Sequence, residues 1–367
     1  MSKEIIIMFS TAMTFLLIAR LVALKCGLVD KPGGRKQHKG EIPLVGGISF
    51  YCAIVMFYLF WPEVLPHTEA HFLPYLLSIS LLLFVGIADD RFDLPVVPRV
   101  FIQALSAVVV MIDGFYLQTF GKLLGDYELL LGPLGYLVTL FATWAAINAF
   151  NMVDGVDGLL GSVAGATFAA LMVAFMLAGA HTRAMWCLLM IVALVPYLMF
   201  NMGWIVSKRL KVFMGDAGSM VIGFTMLWLI ILGTQGNEAV MAPVSALWMI
   251  ALPLMDMVTI MVRRIRRGQS PFHPDRDHLH HILMRSGLTV RQTVLVMTLL
   301  TATFAGFGIV LSQLGAAEWL SLVAFLALFS GYLVTNNKLQ KRNPDLRSKH
   351  NQPHKITVSG DLPASNR

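Results

Sequence analysis

The composition of this 367-residue chain excludes a soluble globular protein. Hydrophobic residues make up 57% of the chain and charged residues 13%, against about 45–50% and about 25% in soluble domains, and disorder requires the opposite balance. The three cysteines, Cys26, Cys52 and Cys187, are widely spaced and form neither a disulfide framework nor a zinc ligand set. We therefore expect an all-α, polytopic integral membrane protein.

Eleven apolar runs are candidates to cross a bilayer, whose hydrocarbon core requires about 20 apolar residues per helix. The runs are continuously apolar and lack the alternation of barrel strands, so they predict transmembrane helices. The first run is not a cleavable signal peptide, because Lys25 and a basic loop follow it instead of a small-residue cleavage site. In chain order the runs lie near residues 4–24, 44–61, 72–88, 99–115, 133–150, 159–179, 184–206, 217–233, 242–262, 292–312 and 318–335.

The distribution of lysine and arginine predicts the orientation of the chain in the membrane. Alternate loops and the C-terminal tail hold 24 of the 28 lysine and arginine residues, and such an excess is typical of the cytoplasmic side. We therefore expect a periplasmic N-terminus and a cytoplasmic C-terminus. The basic loops are 25–43, 89–99, 207–211 and 263–291.

Residues 1–335 are predicted to form a single transmembrane domain. Residues 336–367 are polar, basic and rich in proline, serine and asparagine, so we expect a disordered tail near anionic lipid. The net charge of +7 follows mostly from the basic loops and this tail, and it does not indicate nucleic-acid binding.

Six aspartates fall on the predicted cytoplasmic rim of the membrane. A carboxylate near the hydrocarbon core is costly, and a cluster of them on one side indicates a functional site. Each one alone could instead be a solvated loop residue or helix cap. The six are Asp89, Asp90 and Asp93 after the third run, Asp154 and Asp157 after the fifth, and Asp216 at the start of the eighth.

Four polar side chains, spaced three residues apart, lie at the end of the fifth run and directly after it. Each interval drifts by about 60° on an α-helix, so the four cannot share one helical face. They converge only if the helix tightens or unwinds where Gly155 and Gly158 permit it. The four are Asn148, Asn151, Asp154 and Asp157.

The segment from Phe213 to Ser219 places Asp216 between two glycines at a predicted helix N-terminus. The glycines allow the backbone to approach a ligand closely, and the free N–H groups of a helix N-terminus can hold a phosphate. The segment is not a P-loop, because no Gly-Lys-Ser/Thr follows.

The loop 263–291 carries the complementary positive charge, and a short helix is predicted in it from about Asp275 to Ser286. His278 and His281 have a spacing compatible with a metal, but no further ligand group is evident for zinc. Arginine and histidine opposite acidic loops indicate a phosphorylated substrate with a hard divalent cation. The alternatives are arginines that only fix topology and histidines on a solvated face.

Asp256, within the ninth run, is a further carboxylate at membrane depth. It could either line a cavity or hydrogen-bond to a neighbouring helix.

Five motifs in a fixed order resemble the polyprenyl-phosphate N-acetylhexosamine-1-phosphate transferases, the glycosyltransferase 4 family. The resemblance runs from about Leu28 to Arg291. The His-x-His-His form, Asp93 and the absence of threonines after Pro43 depart from the branch that transfers MurNAc-pentapeptide. The motifs are Pro43-Leu-Val-Gly46-Gly47, Asp89-Asp90-Arg-Phe-Asp93, Asn148-Ala-Phe-Asn151-Met-Val-Asp154-Gly-Val-Asp157-Gly, Phe213-Met-Gly-Asp216-Ala-Gly-Ser and His278-Leu-His280-His281.

The resemblance implies an enzyme that transfers GlcNAc-1-phosphate from UDP-GlcNAc to undecaprenyl phosphate, releasing UMP, with Mg²⁺ or Mn²⁺. It implies a multi-pass protein of the bacterial inner membrane, in contact with its lipids, whose active site faces the cytoplasm. The reaction would start assembly of O-antigen and enterobacterial-common-antigen-type polysaccharides of the lipopolysaccharide pathway. UDP-GalNAc and UDP-FucNAc remain alternative donors, and a homodimer remains open.

A transporter or lipid flippase is the competing class. Transporters place ionisable groups near the midplane within repeated halves, whereas these acids ring one face and no repeat is evident.

The resemblance also implies the roles of individual residues. Asp216 and Asn151 match metal-binding positions. Asp89 and Asp90 match the pair that positions or deprotonates the lipid phosphate, and His281 is expected to be catalytic with them. Arg99 stands where relatives often have lysine. Substrate binding is expected from Lys39, Arg99, Asn148, Asp154, Asp157, Phe213, Arg276, His278 and His280.

Overall fold

The computed structural model describes residues 2–31, 40–61, 71–203, 206–270 and 277–342, and these ranges are mostly helical. Lys39, Arg276 and the chain after Arg342 lie outside the described residues. The described helices are α1 (Ser2–Cys26), α2 (Gly46–Phe60), α3 (Phe72–Phe92), α4 (Val96–Ile112), α5 (Leu134–Val153), α6 (Leu159–Leu177), α7 (His181–Met202), α8 (Gly215–Thr234), α9 (Ser245–Met249), α10 (Ala251–Arg266), α11 (Leu279–Arg285), α12 (Val290–Gln313) and α13 (Glu318–Arg342).

Eight of these helices are long and apolar enough to cross a membrane, namely α1, α3, α5, α6, α7, α8, α12 and α13. Helices α2 and α4 are apolar but shorter, with 15 and 17 residues. The long apolar helices confirm the predicted all-α class and show a membrane-embedded protein.

Helix α8 is the central helix of the bundle. Asp216 is its only residue that is not buried, and a helix that is apolar all round belongs in such a position. It packs against α3, α5 and α2. A Cβ on Gly86 of α3 would overlap the backbone of Ala217, and one on Gly47 of α2 would overlap the backbone of Gly218. Small residues therefore bring three helices close together around the N-terminus of α8.

The ninth predicted span is broken in the structure. Residues 242–262 contain α9 and the first part of α10, and the helices are separated at Ile250, whose φ is −113° and ψ is 21°. Pro253 explains the break, because it has no N–H to donate to the Met249 carbonyl and its ring clashes with that group. Proline is tolerated in the first turn of α10, where the N–H has no helical partner.

Helix α13 continues to Arg342, seven residues into the segment 336–367 that we expected to form the tail. Asn336 is 1% exposed, and its Oδ1 accepts a hydrogen bond from Arg263 Nη2 at 2.8 Å. This hydrogen bond joins α13 to the last turn of α10. The prediction of disorder beyond α13 lies outside the described residues.

Two short strands connect α1 to α2. Strand β1 (Val29–Asp30) pairs antiparallel with β2 (Ile42–Pro43), with Val29 opposite Pro43. The chain after β2 then pairs with the segment before α8: Phe213 N donates to Pro43 O at 2.9 Å, and Phe213 O accepts from Gly46 N at 2.9 Å. The two glycine-containing loops are thus held side by side.

Candidate active site

Asp90 binds the N-terminus of α8 from the end of α3. Its Oδ1 accepts from Asp216 N at 2.8 Å and its Oδ2 from Ala217 N at 3.4 Å. A carboxylate in this place satisfies free N–H groups and is stabilised by the helix dipole. Gly215 has a φ of +78°, and its missing Cβ would meet the Asp90 carboxylate. Only glycine fits here, which explains the Gly-Asp order of the motif.

Asp89, 5% exposed, is the neighbouring carboxylate. Its Oδ1 accepts from Leu94 N at 2.9 Å, and its Oδ2 pairs with Arg99 Nη1 at 2.6 Å. The negative charge of Asp89 is therefore compensated by Arg99 of α4. Asp93, by contrast, is exposed and ends α3 with a φ of 51°, so it is placed at the turn rather than in the cluster.

Asn151 and Asp216, the predicted metal pair, meet at the junction of α5 and α8. Asn151 Nδ2 donates to Asp216 Oδ1 at 2.7 Å and to Ser219 Oγ at 2.8 Å. Asp216 also interacts electrostatically with Asp89, Asp90 and Asp154. The structure thus concentrates carboxylates from three helix ends around Asp216.

The side chains around Asp216 suit a hard divalent cation that is held partly by the protein and partly by the phosphates of a substrate. In the described part of the chain, no three His, Cys, Asp or Glu side chains form a set that could hold a metal. Mg²⁺ is usually bound by one or two carboxylates, with waters and substrate phosphates completing its shell. Asp216 and Asn151 supply oxygen atoms of this type, and the surrounding like charges favour a cation.

The chain unwinds between α5 and α6 as the glycines predict. Helix α5 ends at Val153, and Gly158 precedes α6 with a φ of +78°. Burial, followed by repulsion from Asp216 and Asp157, raises the pKa of Asp154 to about 7. Asp157 forms an ion pair with Lys211 at 2.6 Å.

Asn148 lies one turn before Asn151, and the structure gives it a local partner. Its Nδ2 donates to the Trp144 carbonyl at 2.8 Å within α5. The hydrogen bonds therefore do not bring Asn148 to the carboxylates, and its substrate role stays a prediction.

Two residues that the sequence reading did not single out stabilise the site. Lys211 pairs with Asp157, and its Nζ lies 5.0 Å from the centroid of the Phe213 ring. Asn201 is 2% exposed; its Oδ1 accepts from Gly158 N at 2.5 Å and its Nδ2 donates to Val212 O at 2.9 Å. Lys211 had a weak signal in its basic loop, whereas Asn201 had none.

The histidine segment, His278 to His281, closes one side of the site. The predicted helix begins later than expected, at Leu279, because His278 is extended with a ψ of 153°. His280 is 1% exposed, and a Cβ on Gly155 would lie 2.5 Å from its Nε2. The segment therefore packs directly on the turn that carries Asp154. His281 is partly buried and lies beside His280, with ring centroids 4.2 Å apart.

Burial favours the neutral form of the His280 imidazole. Burial, and then the charges of His281 and His278, hold its pKa well below the usual range. Neither ring nitrogen has a hydrogen-bond partner within the described part of the chain. A buried polar group without a partner is rare, so these nitrogens suit contact with a substrate.

Arginines meet at the base of the histidine segment. Asp277 pairs with Arg267 at 3.0 Å and lies 3.9 Å from Arg263 and from Arg285. Three arginines therefore gather around Asp277 beside the histidine segment, and guanidinium groups suit the binding of phosphate.

The fold and the site define a class: a helical membrane protein with a cluster of carboxylates at one end of the bundle and a histidine segment packed beside it. A sequence model described as glycosyl transferase family 4 matches residues 72–234, from α3 to α8. The chain is 49% identical over 334 residues to a protein of Yersinia pestis, covering 90% of each. It is 49% identical over 333 residues to one of Escherichia coli K12, covering 90% of this chain and 89% of the relative.

A Haemophilus influenzae relative is 45% identical over 333 residues, covering 90% of this chain and 92% of the relative. All three are called undecaprenyl-phosphate alpha-N-acetylglucosaminyl 1-phosphate transferase. The chain belongs to glycosyl transferase family 4, which confirms the resemblance seen in its motifs.

Proposed function

We propose that the protein transfers GlcNAc-1-phosphate from UDP-GlcNAc to undecaprenyl phosphate, giving undecaprenyl-diphospho-GlcNAc and UMP. The observation that carries the proposal is that Asp89, Asp90, Asn151 and Asp216 meet at three helix ends, in a chain of which 90% aligns with relatives of that name. The product would be the first lipid-linked intermediate of O-antigen and enterobacterial-common-antigen-type polysaccharides.

The charges of the two substrates support a divalent cation at this site. The donor diphosphate carries about two negative charges and the lipid phosphate about 1.5 to 2. Mg²⁺ or Mn²⁺ at Asp216 and Asn151 would offset part of this charge and organise the phosphates. The arginines around Asp277 supply further positive charge.

Direct attack of the lipid phosphate on the donor is the favoured mechanism. An oxygen of the lipid phosphate forms a bond to the β-phosphorus, the bond from that phosphorus to the bridging oxygen breaks, and UMP leaves with the bridging oxygen. The second pKa of a phosphate monoester is about 6, so the nucleophile is already largely dianionic at pH 7. A general base would therefore contribute little.

The contacts of Asp89 and Asp90 agree with positioning rather than proton transfer. Asp89 is paired with Arg99, and Asp90 accepts from two backbone N–H groups of α8. Both carboxylates are engaged in holding helix ends in place. Positioning and electrostatic stabilisation are the usual sources of catalysis in phosphoryl transfer. A phosphorylated enzyme trapped after adding UDP-GlcNAc without lipid would instead establish a two-step route.

The arrangement of helix ends supports eleven spans with a periplasmic N-terminus. With α9 and α10 counted as one broken span, the described helices give eleven crossings. The end opposite the site carries its own contacts: His71 before α3 pairs with Asp113 after α4, and Arg183 of α7 pairs with Glu238 after α8 at 2.6 Å. Together with the basic loops, this supports an active site at the cytoplasmic face of the bacterial inner membrane.

The experiment is a donor panel with detergent-purified protein. Undecaprenyl phosphate, Mg²⁺ and UDP-GlcNAc, UDP-GalNAc or UDP-FucNAc are combined, and UMP is measured. We expect UMP with UDP-GlcNAc, none without the lipid, and loss of activity in Asp216→Asn but not in the matched Asp113→Asn at the opposite end. Preference for another donor would revise the sugar. No UMP with any donor, with solute accumulation in proteoliposomes, would replace the proposal by transport. Whether the protein forms a homodimer is tested by the mass of the solubilised protein.

A further inference from the structure

Asp256 is a buried carboxylate of α10 whose partners lie on two other segments of the chain. It is 1% exposed. Its Oδ1 accepts from Leu279 N at 3.0 Å and from the Tyr332 hydroxyl at 2.8 Å, and its Oδ2 lies 3.0 Å from His278 Nδ1. A buried carboxylate is tolerated when such donors surround it. Of the two readings of this residue from the sequence, hydrogen bonding to neighbouring segments is confirmed.

The contacts of Asp256 define where the histidine segment begins. His278 and Leu279 are adjacent, and Asp256 binds the side chain of the first and the backbone of the second. His280 and His281 follow directly in α11. The position of the Asp256 carboxylate therefore sets the height and rotation of the first turn of α11, which carries His280 and His281.

Tyr332 extends this network into the C-terminal helix α13. Its hydroxyl donates to Asp256 and accepts from Asn336 Nδ2 at 3.2 Å. Asn336 in turn accepts from Arg263 Nη2 at 2.8 Å, at the end of α10. The chain of hydrogen bonds fixes the distance between α10 and α13 at the level of the histidine segment. Tyr332 thus links α13 to the histidine segment through Asp256, although α13 contributes no predicted site residue.

We propose that Asp256 and Tyr332 are positioning residues that hold the histidine segment against the Gly155 turn for phosphate transfer. The inference rests on the proposed function. The Asp256 carboxylate also fixes Nδ1 of His278 as the donor nitrogen, since a carboxylate only accepts. His280, wedged beside Gly155, then keeps its place because the segment before it is anchored.

The test compares two variants with matched controls. Tyr332→Phe removes one hydroxyl and keeps the ring; its control is Ser330→Ala, on the same helix, whose hydroxyl donates to Leu326 O of α13. Asp256→Asn keeps the shape and the Oδ1 acceptor but removes the negative charge; its control is Thr259→Val, whose hydroxyl donates to Met255 O of α10. Steady-state UMP release gives kcat and KM, and hydrogen-exchange mass spectrometry of 278–286 without substrates reports on the segment itself.

We expect kcat to fall about 3- to 10-fold in Tyr332→Phe, the effect of one lost hydrogen bond, and about 100-fold in Asp256→Asn, the effect of a displacement near 1 Å. The change in KM should be smaller than the change in kcat. Amides of 278–286 should exchange faster in both variants, while both controls match the wild type. If Asp256→Asn fails to fold, kcat and the exchange of 278–286 in Tyr332→Phe still test the inference.

Two results would overturn the inference while the wild type is active. One is kcat within twofold of wild type in Tyr332→Phe and Asp256→Asn. The other is faster exchange of 278–286 with unchanged kcat, which would show a role in stability alone. A wild type that makes no UMP would instead count against the proposed function, and the exchange data would still show whether Asp256 anchors the segment.

Discussion

The variant Gly155→Ala tests whether catalysis depends on how the histidine segment packs on the turn that carries Asp154 and Gly155. Gly155 does not have a left-handed φ, so alanine causes no backbone strain there. The new methyl group would lie 2.5 Å from His280 Nε2 and 2.9 Å from its Cε1. Ordinary contact begins near 3.4 Å, so the imidazole must move by about 1 Å.

The imidazole of His280 has little freedom to make this movement. It is 1% exposed, its ring stacks on His278 at 5.5 Å, and it lies beside His281 at 4.2 Å. The whole segment must therefore shift. A misplacement of about 1 Å in an active site costs on the order of 100-fold in rate, or about 2.7 kcal/mol of transition-state stabilisation.

The assay is UMP release by detergent-purified protein, with kcat and KM measured alongside the melting temperature. Gly165→Ala is the matched control, because its new methyl group in α6 meets nothing within 4 Å. We expect Gly165→Ala to keep full activity and Gly155→Ala to lose about 100-fold in kcat while remaining folded. Normal turnover in Gly155→Ala would show that the contact with His280 does not matter for catalysis.

The remaining predictions concern charge at the site. Asp216→Asn should lose at least about 100-fold in kcat and require more Mg²⁺ for half-maximal activity, and near-normal turnover at low Mg²⁺ would refute its metal role. His281→Ala should lower kcat about 100-fold, as expected for the loss of one donor that stabilises the transferring phosphate, without affecting membrane insertion; a fully active variant would place this histidine on a solvated face. Because Asp154, with a pKa of about 7, becomes neutral as the pH falls, the Mg²⁺ required should rise from pH 8 to pH 6. Asp154→Asn should remove most of this pH dependence of the Mg²⁺ requirement. An unchanged pH dependence in the variant would show that Asp154 is not its cause.

The helices could be predicted because hydropathy and the positions of lysine and arginine are local signals. Each predicted span contains a helix in the structure. The break at Ile250 was not predicted, because Pro253 lies inside a continuous apolar run. Hydropathy does not register the N–H group that a proline lacks. The end of α13 was not predicted because Asn336 is polar in sequence, whereas its hydrogen bond with Arg263 forms only in the folded chain.

The site was predictable as far as its acidic residues mark helix ends on one side. Asp89, Asp90, Asn151 and Asp216 are brought together as expected. The partners of these residues were not predictable, since a hydrogen bond such as Asn201 to Gly158 joins segments 43 residues apart and leaves no pattern in the sequence.

The hydrogen bonds between Asp256 and the histidine segment were likewise not predictable, because their partners are distant in sequence. Its sequence position leaves open whether it lines a cavity or binds a neighbour, and only the fold brings His278 and Tyr332 to it.

The fate of the β-phosphorus tests the central claim most directly. Purified protein is given undecaprenyl phosphate, Mg²⁺ and UDP-GlcNAc labelled with ³²P at the β-phosphate, and the lipid and nucleotide products are separated. Transfer of GlcNAc-1-phosphate predicts that the label enters the lipid, while the released UMP is unlabelled. Labelled UDP in solution with an unlabelled glycolipid would mean that the sugar alone is transferred, and it would contradict the account of this site.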